Sequence, residues 1–147
     1  MFTLNPDRVI IPLASETDAE ETCAIIREYV EPVGEIVLAH VIEKAQGAPD
    51  KASLEQRQEH AHRIFQIGMQ RLEPAGWEVE TELTYGPNVA EAIHELAVEL
   101  DADLIALSIR PASRVVRFLA GDTAREVVSD PPCPVMALPA LESDTNE

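Results

Sequence analysis

Asp103-Leu104-Ile105-Ala106-Leu107-Ser108-Ile109 is a continuous apolar run. It has none of the polar-apolar alternation of a half-solvated strand. It reads as a strand buried on both faces, the kind found in parallel sheets covered by helices. Upstream, Val89, Ala92, Leu96 and Leu100 form the buried stripe of a helix, with Asn88 and Glu91 spaced as the Asn variant of a capping box. Gly86-Pro87 makes the turn before it. Glu78 to Thr84 alternates imperfectly and carries charges on one face, which suits an edge strand. Downstream, a fourth helix carries Val116, Leu119 or Ala120, Thr123 and Val127. A last strand then runs from Pro134 to Leu138.

The amino-terminal half repeats this alternation. Arg8-Val9-Ile10-Ile11-Pro12-Leu13 reads as a strand. Ala19, Cys23, Ile26 and Val30 follow at helical spacing, with Ser15 and Thr17 as candidate N-caps, and Pro32 and Gly34 end that helix. Glu35 to Ile42 is a strand, and a loop with Gly47, Ala48 and Pro49 follows it. Leu54, Ala61, Phe65, Gly68 and Leu72 mark a long helix stopped by Gly76. The order βαβαβαβαβ implies a doubly wound α/β domain, a mainly parallel sheet with helices on both faces. The domain is expected to span 1–140, leaving 141–147 as an acidic tail.

Charge narrows the range of partners. Asp and Glu total 27 against 11 Lys and Arg, a formal net charge of −16. Of the basic residues, Lys44 and Lys51 are the lysines and the rest are arginines. Such a surface repels phosphate backbones and anionic membranes, so nucleic-acid partners and membrane insertion are not expected. Many carboxylates beside few lysines fit a protein that works at high salt, where screening falls to about 3 Å at 1 M. The longest apolar runs fall far short of the roughly 20 residues of a bilayer span. No secretory pattern precedes the first strand, so a cytoplasmic location is expected. Cys23 and Cys133 have no disulfide-framework or metal-ligand spacing.

In an open α/β sheet, ligands bind beyond the carboxyl ends of the strands where strand order reverses. With the first and fourth strands as central neighbours, the crevice lies between 14–18 and 108–114. The start of the fourth helix offers free N–H groups beside it.

Four stretches stand in a telling order and spacing: Arg8-Val9-Ile10-Ile11-Pro12-Leu13, Val37-Leu38-Ala39-His40-Val41, Ala102-Asp103-Leu104-Ile105-Ala106-Leu107 and Pro132-Cys133-Pro134-Val135-Met136-Ala137. In these the sequence resembles the universal stress protein family over nearly its full length. The resemblance implies an adenine nucleotide alpha hydrolase-like fold. Its sheet has five parallel strands in the order 3-2-1-4-5. The resemblance also implies frequent dimerisation and a stress-associated regulatory role. Members that bind ATP carry an acidic residue just after the first strand. They also carry a phosphate loop of Gly, two residues, Gly, nine residues, Gly, then Ser or Thr.

This chain departs from that pattern at most positions. Ser108 and Pro111 stand at the first two glycine positions, Gly121 is kept, and Asp122 stands where the hydroxyl belongs. Ala14 occupies the acidic position. Pro111 has no N–H to offer, and a carboxylate at Asp122 opposes a phosphate. Ala14 accepts no hydrogen bond from a sugar or base. No bound cofactor is therefore expected. Arg110, Arg114, Arg117 and Arg125 give the opposite indication, because guanidinium groups grip phosphate in a fork. Their alternative role is to pair with acids such as Asp122 and Glu126. The candidate crevice comprises Ala14, Ser15, Val41, Ser108, Arg110, Pro111, Arg114, Gly121, Asp122 and Thr123.

Elsewhere the residues point to structure rather than chemistry. His60 and His62 are two apart on a helix and do not share a face, so they read as solvated and not as a metal site. His94 reads as a helix-surface residue, His40 as a satisfied and partly buried one, and Cys133 as a small buried hydrophobe. Ser15 has no evident His or Asp companion, so no catalytic residue is expected. Pro134, Val135, Met136, Ala137 and Leu138 form an apolar, uncharged edge suited to pairing with a second copy. The reading that results is a homodimeric stress-response regulatory or binding module without catalysis of its own. Two alternatives are an atypical ATP- or AMP-binding member using Arg110 and Arg114, and a soluble accessory protein of a membrane transporter.

Overall fold

In the computed structural model, residues 6–32, 34–43, 51–108 and 121–139 are described. Five strands are joined by four helices: β1 (Arg8–Pro12), α1 (Glu16–Tyr29), β2 (Glu35–Glu43), α2 (Lys51–Leu72), β3 (Glu78–Gly86), α3 (Val89–Glu99), β4 (Leu104–Ser108), α4 (Gly121–Val128) and β5 (Val135–Leu138). The strands lie in the order β3-β2-β1-β4-β5 and all their pairings are parallel. This is the doubly wound sheet expected from the sequence.

Alternation along each central strand separates two cores. Val9, Ile11, Ile36, Leu38, Leu104 and Ala106 pack with Ala19, Cys23, Ile26, Ile64 and Phe65 of α1 and α2. Ile10, Val37, Ala39, Val41, Ile105 and Leu107 pack with Ile93 and Leu96 of α3 and Val127 of α4. Residues such as Ile10, Ile11, Leu38 and Ile105 have no accessible surface, and burying each contributes about 1.5–3 kcal/mol.

The helix ends follow local rules. Ser15 is the N-cap of α1, its Oγ accepting from Asp18 N at 3.1 Å, while Thr17 is exposed inside the helix. Asn88 Oδ1 accepts from Glu91 N at 2.8 Å, which is the Asn half of the capping box. The amino ends of the strands are clamped by Asp103, whose Oδ2 accepts from Asp7 N at 2.8 Å and Arg8 N at 3.0 Å. Gly34 enters β2 with φ +74, and a Cβ there would stand 2.5 Å from the Asp7 carbonyl oxygen. Gly68 lets α2 settle onto β2, where a Cβ would meet Leu38 Cδ1 at 2.6 Å.

Several strand boundaries shift from expectation, β2 running one residue further to Glu43 and β4 beginning at Leu104 rather than Asp103. Leu13 lies past the end of β1, although its N–H still bonds the Ala39 carbonyl at 2.8 Å. β3 runs to Gly86, two residues further than its charge pattern indicated. Pro134 precedes β5, contributing its carbonyl to Ile105 N at 3.0 Å. The expected Gly47, Ala48 and Pro49 loop lies outside the described residues. So do Ile109, the helical positions Val116, Leu119 and Ala120, and the tail from Leu141.

Candidate functional site

The sheet divides where the topology requires. β1 pairs with β2 up to Pro12–Ala39 and β4 pairs with β5 up to Ser108–Leu138. Between β1 and β4 the register covers Val9–Leu104 and Ile10–Ile105. Beyond that point the central strands share no ladder among the described residues, and Pro12 has no N–H to continue one. The carboxyl ends of β1 and β4, followed by helices on opposite faces of the sheet, define the switch-point crevice.

The structure brings Ala14 and Ser15 to the β1 side of the crevice and Ser108, 1% exposed, to its β4 side. Val41 lies on β2 with its side chain in the α3 core, 6% exposed. Gly121 and Asp122 open α4, and Thr123, half-buried, follows in its first turn. Arg110, Pro111 and Arg114 lie outside the described residues.

Asp18 is the residue that sequence reasoning missed. It is 5% exposed, with Oδ2 accepting from Ala14 N at 2.8 Å and Oδ1 from Thr22 Oγ1 at 2.9 Å. Its own N–H goes to the Ser15 hydroxyl. The β1–α1 loop is thereby closed on itself. An acid does stand at this end of β1, four residues after Ala14, but it serves the loop's backbone. The signal was present: Ser15 and Asp18 have the Ser-x-x-Asp spacing of a capping box.

The carbonyl before that loop is held from the other side. His40, 9% exposed on β2, donates from Nδ1 to the Leu13 carbonyl at 2.7 Å. Burial lowers its pKa below the ordinary imidazole value. The bond to Leu13 and the charge of Asp18 oppose that shift, and His60 and Arg57 reinforce it. His40 is the satisfied histidine expected. His60 is not simply solvated: its ring centroid is 6.2 Å from that of His40 at an interplanar angle of 86°. Its Nε2 lies 3.9 Å from Glu16 Oε2. Helical spacing shows what lies along α2 but not which strand residue faces it.

Two more readings are corrected. His94 is partly buried and donates from Nε2 to the Val127 carbonyl at 2.8 Å, tying α3 to α4. Cys133 is half-buried rather than a core residue, because the chain around it runs along the surface before β5. Cys23 is fully buried, and burial pushes its thiol up to about 12, so it stays protonated. Among the described residues no group of three His, Cys, Asp or Glu is placed to hold a metal ion. None of the described helices is long and apolar enough to cross a membrane. A separate open groove runs along α3, lined by Glu91, His94, Glu95, Val98, Glu99 and the 130–132 turn. Its lining is acidic apart from His94, Val98 and two prolines.

Comparison with known proteins accords with this architecture. The universal stress protein from Archaeoglobus fulgidus in complex with dAMP is similar at 18% identity, with a TM-score of 0.66 over 92% of this chain and 99% of that one. UspA from Lactobacillus plantarum has a TM-score of 0.64 at 19% identity, over 92% and 99%. A universal stress family protein from Arabidopsis thaliana with AMP bound has a TM-score of 0.63 at 16% identity, over 92% and 93%. These likenesses show a shared fold. No curated protein matches the chain. The sequence itself matches the universal stress protein family over residues 5–139, spanning all five strands. The chain belongs to the universal stress protein family.

Proposed function

We propose that this protein is a homodimeric, non-catalytic stress-response module whose crevice does not take ATP in the family's usual manner. The observation that carries the reading is the closed β1–α1 loop. The Ala14 amide, the Ser15 hydroxyl and both Asp18 carboxylate oxygens are engaged with one another or with Thr22. A nucleotide sugar arriving there meets an alanine side chain and polar groups already in use. The phosphate side points the same way, because Pro111 withholds a donor and Asp122 adds negative charge. The dimer reading rests on β5, an edge strand without charge whose Val135 and Met136 are half-buried.

A second reading is favoured by the relatives solved with dAMP and AMP. In it, Arg110 and Arg114 replace the missing backbone donors and grip the phosphate directly. Titration calorimetry with Mg-ATP and with AMP, at low and molar KCl, separates the two. The first reading expects no saturable heat up to millimolar nucleotide. Micromolar binding overturns it, and loss of that binding in Arg110→Ala or Arg114→Ala establishes the second.

A further inference from the structure

Two histidines meet where the β1–α1 loop is anchored. His40 donates from Nδ1 to the Leu13 carbonyl, the group immediately before Ala14. A carbonyl only accepts, so the neutral ring carries its proton on Nδ1 and takes a second one at Nε2. His60 faces that ring from α2 at 6.2 Å. Arg57, also on α2, and Asp18, on α1, are the other charges that act on His40.

The charges around His40 do not balance once its ring is protonated. His60 and Arg57 then oppose the His40 cation, and Asp18 is its one counter-charge among these groups. Asp18 is already committed to the Ala14 amide and the Thr22 hydroxyl. Glu16, which lies 3.9 Å from His60 Nε2, is shared with Arg63 Nε at 3.1 Å. An imidazolium held away from water among like charges is costly. Turning the ring toward solvent relieves that cost and gives up the Leu13 carbonyl.

We propose that His40 and His60 form an acid-operated latch on the β1–α1 loop. When the His40 ring takes a second proton against the opposing His60 and Arg57, it releases Leu13, and the loop that closes the β1 side of the crevice loosens. The latch is independent of which ligand, if any, the crevice takes. Because burial lowers the His40 pKa, the neutral, latched ring is the form present at neutral pH. The stabilisation it gives is complete above the unfolded imidazole value near 6.5 and is lost as pH falls toward the depressed folded value.

Amide hydrogen exchange followed by NMR, with protection corrected for the intrinsic rate at each pH, tests the latch. Between about pH 7.5 and 5, protection of the Ala14 and Asp18 amides is expected to fall severalfold, in the direction set by the lowered His40 pKa. The Ile10 and Leu38 amides in the sheet are expected to hold. In His60→Gln, a half-exposed position, the loop response shrinks severalfold while the sheet amides report an intact fold. A flat profile at Ala14, an equal loss at Ile10, or an undiminished response in His60→Gln overturns the proposal.

Discussion

The two edges of the sheet solve the same problem in opposite ways. β3 is nine residues long and pairs with β2 from Glu35–Glu78 to Glu43–Gly86. It leaves a long row of outward N–H and C=O groups and carries Glu78, Glu80 and Glu82 at alternate positions. β5 is four residues long and carries no charge, with Val135 and Met136 half-buried, Ala137 exposed and Leu138 in the core. Acidic side chains along a long edge discourage a second chain from adding to it. An uncharged edge lacks that repulsion, so β5 is the side to which the proposed dimer is assigned.

The largest expected effect comes from detaching the β3 edge from the core. Trp77, 5% exposed just before β3, packs in the α1–α2 core. Trp77→Ala should cost about 3–5 kcal/mol, measured by urea unfolding. A loss below ~1 kcal/mol would mean that β3 is held by its ladder with β2 alone. Next comes Ala137→Lys on β5. It should weaken the proposed dimer at least ~10-fold, about 1.4 kcal/mol, in sedimentation equilibrium, whereas Glu80→Lys on β3 should leave association unchanged. Equal weakening by both would break the contrast between the edges. The smallest effect is electrostatic. Raising KCl should stabilise the protein, and replacing Glu78, Glu80 and Glu82 together by Thr should reduce that gain, by roughly 0.2–1 kcal/mol per removed like-charge neighbour. Thermal unfolding across a KCl series reads this, and an identical salt gain in the triple variant would remove β3 from the account.

Legibility varied along the chain for physical reasons. The continuous apolar run of β4 and the charged alternation of β3 announced a buried central strand and an edge, because burial on two faces, or on one, writes itself into composition. Ser15 and Asn88 were readable as caps, since capping is settled within four residues. Asp18 carried the right spacing but was overlooked, because the carboxylate finds its amide, that of Ala14, one position outside the usual box. The contacts of His60 and His94 were not legible. Their partners, His40 on β2 and the Val127 carbonyl at the end of α4, come from distant chain segments.

The sequence by itself determined the alternation of strands and helices and the parallel sheet with helices on both faces. Each of these depends on periodicity or on the identity of single residues. The tertiary structure decided that β1 and β4 part after Ile10 and Ile105, and that the loop beyond them is closed by Asp18 from α1 and gripped by His40 from β2. Those contacts join residues up to 27 positions apart. They form only when the strands have taken their order and bring the ends of β1 and β2 under the same helix.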